Sequence, residues 1–194
     1  MTLPKTIRGL RAFLPEDIER HEALTWYQEA SDYAKDCARL TGHSYETVCA
    51  VIAVLSPAVS WPINKRDALD MLSASDPASV TVSTYGANKA KAIRLMNGGT
   101  IAANVRGRKA RSFFFNILDP DCCDNVTIDR HAIRAAYGLK GLTIKPDDIP
   151  VIASDKRYNH FKTLYKRLAA EKGLTPNQLQ AIIWIEFKQR QEEA

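Results

Sequence analysis

The sequence predicts an all-α protein. Three observations carry this: apolar residues recur at helical spacing over most of the chain; Ser, Thr, Asp, Pro and Gly stand where helices start and stop; and the period-2 pattern of strands is nearly absent, with V-T-V (80–82) and V-T-I (126–128) as the only candidates.

Pro15-Glu16-Asp17 opens a long first helix, its acids favouring the positive end of the dipole. Leu24, Tyr27, Ala30, Ala34, Ala38 and Leu40 form its apolar face and Gly42 ends it. Ser44 caps a second helix whose interior, V-C-A-V-I-A-V-L, is apolar all round. Such a helix belongs in the centre of a bundle. Ser56-Pro57 stops it, and Trp61-Pro62 starts a third helix with Ala68, Leu69 and Leu72 facing inward.

Residues 76–84 read as a connector, and residues 88–96 as a short basic helix broken by Asn97-Gly98-Gly99. One turn over 101–105 precedes Arg106-Gly107. The next helix carries Phe113, Phe114, Phe115, Ile117 and Leu118 and stops at Asp119-Pro120. Asp129 caps a helix through Tyr137, closed by Gly138. The loop over 141–154 is long for a compact domain. Residues 158–172 form the penultimate helix, and Thr175-Pro176 begins a last one with Leu179, Ile182, Ile183, Ile185 and Phe187.

Composition bounds the function. The chain has 194 residues, 45% hydrophobic and 25% charged, the balance of a soluble globular protein. No run of about 18 apolar residues marks a membrane span. The N-terminus lacks the apolar core of a signal peptide, so the expected location is the cytoplasm. The formal charge of +5 is compatible with a polyanionic partner. Of four cysteines, Cys37 and Cys49 fall in apolar helical patterns, and the adjacent Cys122-Cys123 pair is poorly placed to chelate a metal.

Four segments hold candidate chemistry. Gly107 heads a helix among Arg106, Arg108, Lys109 and Arg111, a pattern suited to contacting phosphate and equally that of a solvated basic helix start. The glycine permits a tight turn and close approach of another backbone. Asp129 is a helix cap by residue type, and a cap is compatible with a catalytic carboxylate; Arg130 and His131 flank it. L-S-P-A-V-S-W-P-I-N-K-R (55–66) brings Ser56, Trp61 and Asn64 to a turn able to meet a duplex, or else to fill core and cap roles. In the last helix Trp184 reads as core and Gln180 as the side chain reaching a pocket.

Taken in order, these segments resemble the helix-hairpin-helix (HhH-GPD) DNA glycosylase superfamily, in its endonuclease III-like branch. V-L-S-P-A-V-S-W-P-I-N-K-R-D-A-L (54–69) is similar to its L-S-x-x turn and following N-K-A-x-x-L helix, and Y-G-A-N-K-A-K-A-I (85–93) to its Y-x-x-K-A-x-x-I helix. G-R-K-A-R-S-F-F-F-N (107–116) looks like G-R-K-T-A-x-x-x-x-N, and I-D-R-H-A-I-R (128–134) like V-D-T-H-x-x-R. The resemblance covers about residues 48–137 and implies a two-lobed all-α fold over 1–194, the terminal helices completing the second lobe. It implies DNA as partner and Lys109 and Asp129 as catalytic pair. Arg106, Gly107, Arg108, Arg111, Ser56, Trp61, Asn64, Lys89, Arg130 and His131 become DNA contacts.

There are departures. The family's L-P-G-V-G hairpin is A-N-V-R-G here, Ser56-Pro57 replaces a small-Gln pair, and the four-cysteine iron–sulfur loop is absent. No metal or other cofactor is expected. The chain is also similar to a phage offshoot, the α-glutamyl/putrescinyl thymine pyrophosphorylase-like proteins, which places it in a bacterial or phage-infected cell. Three functions stay open: excision of a modified or damaged, most simply pyrimidine, base; transfer of an amine or amino acid to an activated hydroxymethyl pyrimidine; and DNA binding without catalysis.

Overall fold

The computed structural model describes residues 2–122, 124–148 and 154–193. Among them all regular structure is helical: α1 (Arg8–Arg11), α2 (Trp26–Thr41), α3 (Tyr45–Leu55), α4 (Trp61–Ser73), α5 (Gly86–Met96), α6 (Ile101–Asn104), α7 (Arg108–Leu118), α8 (Arg130–Ala136), α9 (Asp155–Lys172) and α10 (Pro176–Glu192). Short 3-10 turns occur at Glu22–Leu24, Gly138–Thr143 and Pro146–Asp148. Both strand candidates are irregular. The chain forms two compact units, Gln28–Pro120 and Met1–Tyr27 with Asp121–Ala194.

The unit Gln28–Pro120 is built on α3. The Ser44 hydroxyl accepts the Thr47 N–H at 3.2 Å, capping its start. Every residue from Val48 to Leu55 is buried, and α4, α5, α6 and α7 pack around it. Each Val, Leu or Ile so buried contributes roughly 1.5–3 kcal/mol, which is why a helix with no polar face is stable only here. At its end the Ala53 carbonyl would ordinarily accept the N–H of residue 57, but that residue is proline. The Ser56 hydroxyl takes the place at 2.9 Å, and the Asn64 amide donates to the Ile52 carbonyl at 3.1 Å. The next residue, Ala58, has φ 64°, a left-handed conformation that costs an L-residue roughly 1–2 kcal/mol.

The 76–84 connector is held by polar contacts. Asp67, 1% exposed, accepts the Ser83 N–H at 2.6 Å and the Arg66 guanidinium at 2.9 Å. The Lys89 ammonium donates to the Ala78 carbonyl at 2.6 Å, and the Thr84 hydroxyl to the Pro57 carbonyl at 2.8 Å. At the far end of α7 the Tyr45 hydroxyl donates to the Ile117 carbonyl at 2.8 Å, and burial pushes its phenol up to about 12.

In the other unit α8, α9 and α10 close over a core of Phe161, Tyr165, Leu168, Leu179, Ile183 and Phe187, joined by Leu10 and Phe13. Asp129 caps α8, accepting the Ala132 N–H at 2.8 Å. Thr175 and Gln178 form a reciprocal capping box on α10. Arg134, buried, donates to the carbonyls of Gly141 and Leu142 at 2.8 and 2.7 Å. A Cβ at Gly141 would lie 1.9 Å from the Arg134 carbonyl oxygen, so only glycine fits.

Three expectations are corrected. The first long helix begins at Trp26, well after Pro15. Upstream, Asp17 accepts the Arg20 N–H at 3.3 Å and His21 accepts the Ala23 N–H at 3.1 Å, local bonds that compete with helix formation. Leu40 is 77% exposed, because the buried stripe of α2 runs through Ala30, Ala34 and Cys37. The penultimate helix starts at Asp155, where the Ser154 hydroxyl accepts the Arg157 N–H. The loop before it holds two 3-10 turns, while residues 149–153 lie outside the described residues, as does Cys123.

Candidate functional site

Inside the unit Gln28–Pro120 the end of α3, the face of α5, α6 and the start of α7 enclose a pocket of about 210 Å³. Ser56 and Pro57 come from the first, Asn88 and Lys91 from the second, Asn104 from the third. Arg106, Gly107, Lys109 and Ala110, with Val54 of α3, complete the lining. Three cations therefore meet in a small space that, among the described residues, no carboxylate lines. The walls are fixed by hydrogen bonds. Asn104 accepts from Arg94 Nε and donates to the Thr100 carbonyl, both at 2.9 Å. Asn88 donates to the Thr84 hydroxyl and accepts the Lys91 ammonium, both at 3.2 Å. Such a lining attracts an anionic or electron-rich group and positions an amine against it.

Gly107 is the N-cap of α7 at φ −68° and ψ 135°, and no side chain caps this helix. Its backbone conformation is open to any residue, and a Cβ there would meet no atom within 4 Å. The tight turn and close backbone approach expected of this glycine are thus not what the chain itself uses it for.

Of the residues singled out in the sequence, Ser56, Arg106, Gly107 and Lys109 come together in this pocket. Arg108 and Arg111 share the helix start but lie outside the lining. Lys89 also lies outside it, tied to the connector. Trp61 is a packing residue: its ring stands edge-on to Tyr33 and Phe113, at centroid distances of 6.2 and 6.4 Å, and Lys65 lies over it. Asn64, 2% exposed, spends its amide N–H on the Ile52 carbonyl at the end of α3 and lies outside the pocket lining.

Asp129, Arg130 and His131 belong to the other unit. There Asp129 is a cap, and Arg130 Nε lies 3.4 Å from His131 Nε2. The His131 ring packs against Trp184 and Phe187 at 6.5 and 6.0 Å. Burial pushes its pKa down; the Asp129 carboxylate opposes this, and Arg130, Arg134 and Lys188 add to it. Gln180 is buried and accepts the Tyr27 hydroxyl at 2.6 Å, so it faces core rather than a pocket.

Asn88, Lys91 and Asn104 were missed by sequence reasoning. The signal lay in the phase of α5. Asn88, Ala92 and Leu95 form its buried stripe, so Lys91 flanks that stripe. Cys37 and Cys49 are buried thiols, and burial pushes Cys49 up to about 12. Among the described residues no helix is long and apolar enough to cross a membrane.

A family model matches residues 14–191. The chain belongs to DUF7178, a family of unknown function. No curated protein and no solved structure matches it. The DUF7178 match spans every residue of the pocket.

Proposed function

We propose that this DUF7178 protein acts on a modified or damaged pyrimidine in DNA, with Lys109 as the amine nucleophile. One observation supports it above the others. The three segments L-S-P (55–57), N-K-A-K (88–91) and R-G-R-K (106–109), which carry the family resemblance before Asp129, supply the lining of a single cationic pocket. The target nucleotide must leave the stack to reach such a pocket. The neutral Lys109 amine bonds to the sugar C1′ as the bond from C1′ to the base breaks; the base departs with the electron pair and takes up a proton. Sugar-ring opening then leaves an iminium on Lys109. A carboxylate stabilises the positive charge that develops on the sugar, the role the resemblance assigns to Asp129.

Borohydride reduces that iminium and fixes the protein on the oligonucleotide. Trapping on a panel of modified-base duplexes is expected for the wild type and lost in Lys109→Ala. No trapping with any base, or undiminished trapping in Lys109→Ala, rejects excision through this lysine. Asp129→Asn retains an N-cap, so its stability should stay within a few tenths of a kcal/mol, whereas Asp129→Ala costs about 1 kcal/mol. A trapping defect in the Asn variant is therefore chemical and not a folding defect.

The cluster Lys91, Arg106 and Lys109 also favours a second reading, transfer of an amine onto an activated hydroxymethyl pyrimidine, because three cations suit a phosphate leaving group. Mass spectrometry of nucleosides from treated hydroxymethyluracil-type DNA separates the two: a mass gain without abasic sites belongs to transfer. Binding without either product leaves a DNA-binding module.

A further inference from the structure

A second cationic hollow lies in the unit Met1–Tyr27 with Asp121–Ala194, and the pocket chemistry makes no use of it. It has a volume of about 690 Å³ and runs between the N-terminal segment and α9. Lys5, Lys156, Arg157, His160 and Arg167 line it, with Thr163 and Asn159 between them. Among the described residues no carboxylate lines it.

Its construction follows from the sequence of α9. That helix carries six Lys or Arg residues against two carboxylates, Asp155 and Glu171. Tyr158, Phe161, Leu164, Tyr165, Leu168 and Ala169 are its buried residues, packed into the unit's core. Positions 156, 160, 163 and 167 recur at intervals of 4, 3 and 4, which places them along one other face of the helix. His160 Nε2 lies 2.7 Å from the Pro4 carbonyl and, as the donor, holds the N-terminal segment along this face, bringing Lys5 to the cluster. Glu171 is engaged by Arg11 and, at 3.6 Å, by Arg167. Lys5, Lys156 and Arg157 are exposed.

We infer that this groove is a second anion site that takes the phosphodiester backbone of a nucleic acid strand. From 156 to 167 the helix advances about 16 Å, and one strand of duplex presents a phosphate every ~3.4 Å of axis, so several phosphates face the cationic row at once. A lipid surface is the poorer match, because surface helices insert an apolar face. The apolar lining here is Leu164, which is buried, and Leu3, which packs on the core. The groove reads charge and carries no base specificity, and it requires no chemistry at Lys109.

The test is fluorescence anisotropy of the full chain with labelled single- and double-stranded oligonucleotides over a salt series. The variant Lys5→Gln/Lys156→Gln/Arg157→Gln should lower the slope of log affinity against log salt by about 2–3, near 0.9 per lost phosphate contact on duplex. At fixed low salt it should bind at least about tenfold more weakly. The pair Lys5→Gln/Lys156→Gln should give an intermediate loss, and Lys5→Arg/Lys156→Arg should restore binding; thermal midpoints confirm that each variant is folded. A wild-type slope in the folded triple variant overturns the proposal. So does a wild type that binds no oligonucleotide at low salt, or one that binds anionic phosphatidylserine vesicles instead. Trapping at Lys109 is read separately in the same variants, so the pocket and the groove can fail independently.

Discussion

Gly107 is where the residue scale bears most on function. Its φ and ψ suit any residue and a Cβ would stand in open space, yet it lines the cationic pocket. An added methyl group therefore meets no steric obstacle in the fold; the gain from restricting the unfolded chain is offset by alanine being a poorer N-cap than glycine, so the net change in stability is small. A sugar or phosphate seated on the turn would meet that methyl. The expected result for Gly107→Ala is a nearly unchanged thermal midpoint with trapping reduced by about ten- to a hundredfold, the scale of a small misplacement of reacting atoms. Unaltered trapping would show that no ligand approaches this turn. Asn64 teaches the opposite lesson. A polar side chain in a turn that resembles a DNA-contacting one is buried against the Ile52 carbonyl. Residue type alone does not distinguish a contact from an internal hydrogen bond.

At the scale of elements, the connector between α4 and α5 positions the pocket wall, and Asp67 anchors it. Burial by itself would raise this carboxyl. The Ser83 backbone N–H, the Arg66 guanidinium and the Ser83 hydroxyl outweigh that and hold it below its ordinary value of 3.8. Its stabilisation is thus present above pH 3.8 and is lost as pH falls through the lower, folded-state value. Asp67→Ala removes the charge-assisted hydrogen bonds from Arg66 and the Ser83 N–H and leaves that backbone donor without its partner, at a cost of about 2–3 kcal/mol at neutral pH. Urea titration should show a lower midpoint with an unchanged slope; a wild-type midpoint would remove Asp67 as the anchor. The end of α3 follows the same logic: Pro57 stops the helix, and the carbonyl it strands is recovered by Ser56, itself part of the pocket.

At the scale of the whole molecule, His131 links the stability of one unit to pH near neutrality. His131 lies in the unit formed by both chain ends, and burial keeps it neutral below its ordinary value of 6.5. The unfolded chain takes up a proton near pH 6.5 while the folded chain resists until lower pH. Stability from this residue is therefore complete above pH 6.5 and declines as pH falls toward the folded-state value. The denaturation midpoint should drop between pH 7 and pH 5, and His131→Gln should flatten that drop. Equal slopes in both proteins would assign the effect to other groups.

The all-helical class and most helix starts could be read from the residues alone because their causes are local. Ser44, Asp129 and Thr175 each bond a backbone N–H three residues on, and the unbroken apolar run of α3 admits only a central place. The late start of α2 escaped that reading, since short-range bonds from Asp17 and His21 compete with helix formation without disturbing the apolar spacing. Folding alone decided how distant segments share units and which of two neighbouring cations serves the pocket. Lys91 and Arg106 line it while Lys89 and Arg108 do not, because the rotation of α5 and α7 is set by the side chains each buries against α3, a contact between segments far apart in the chain.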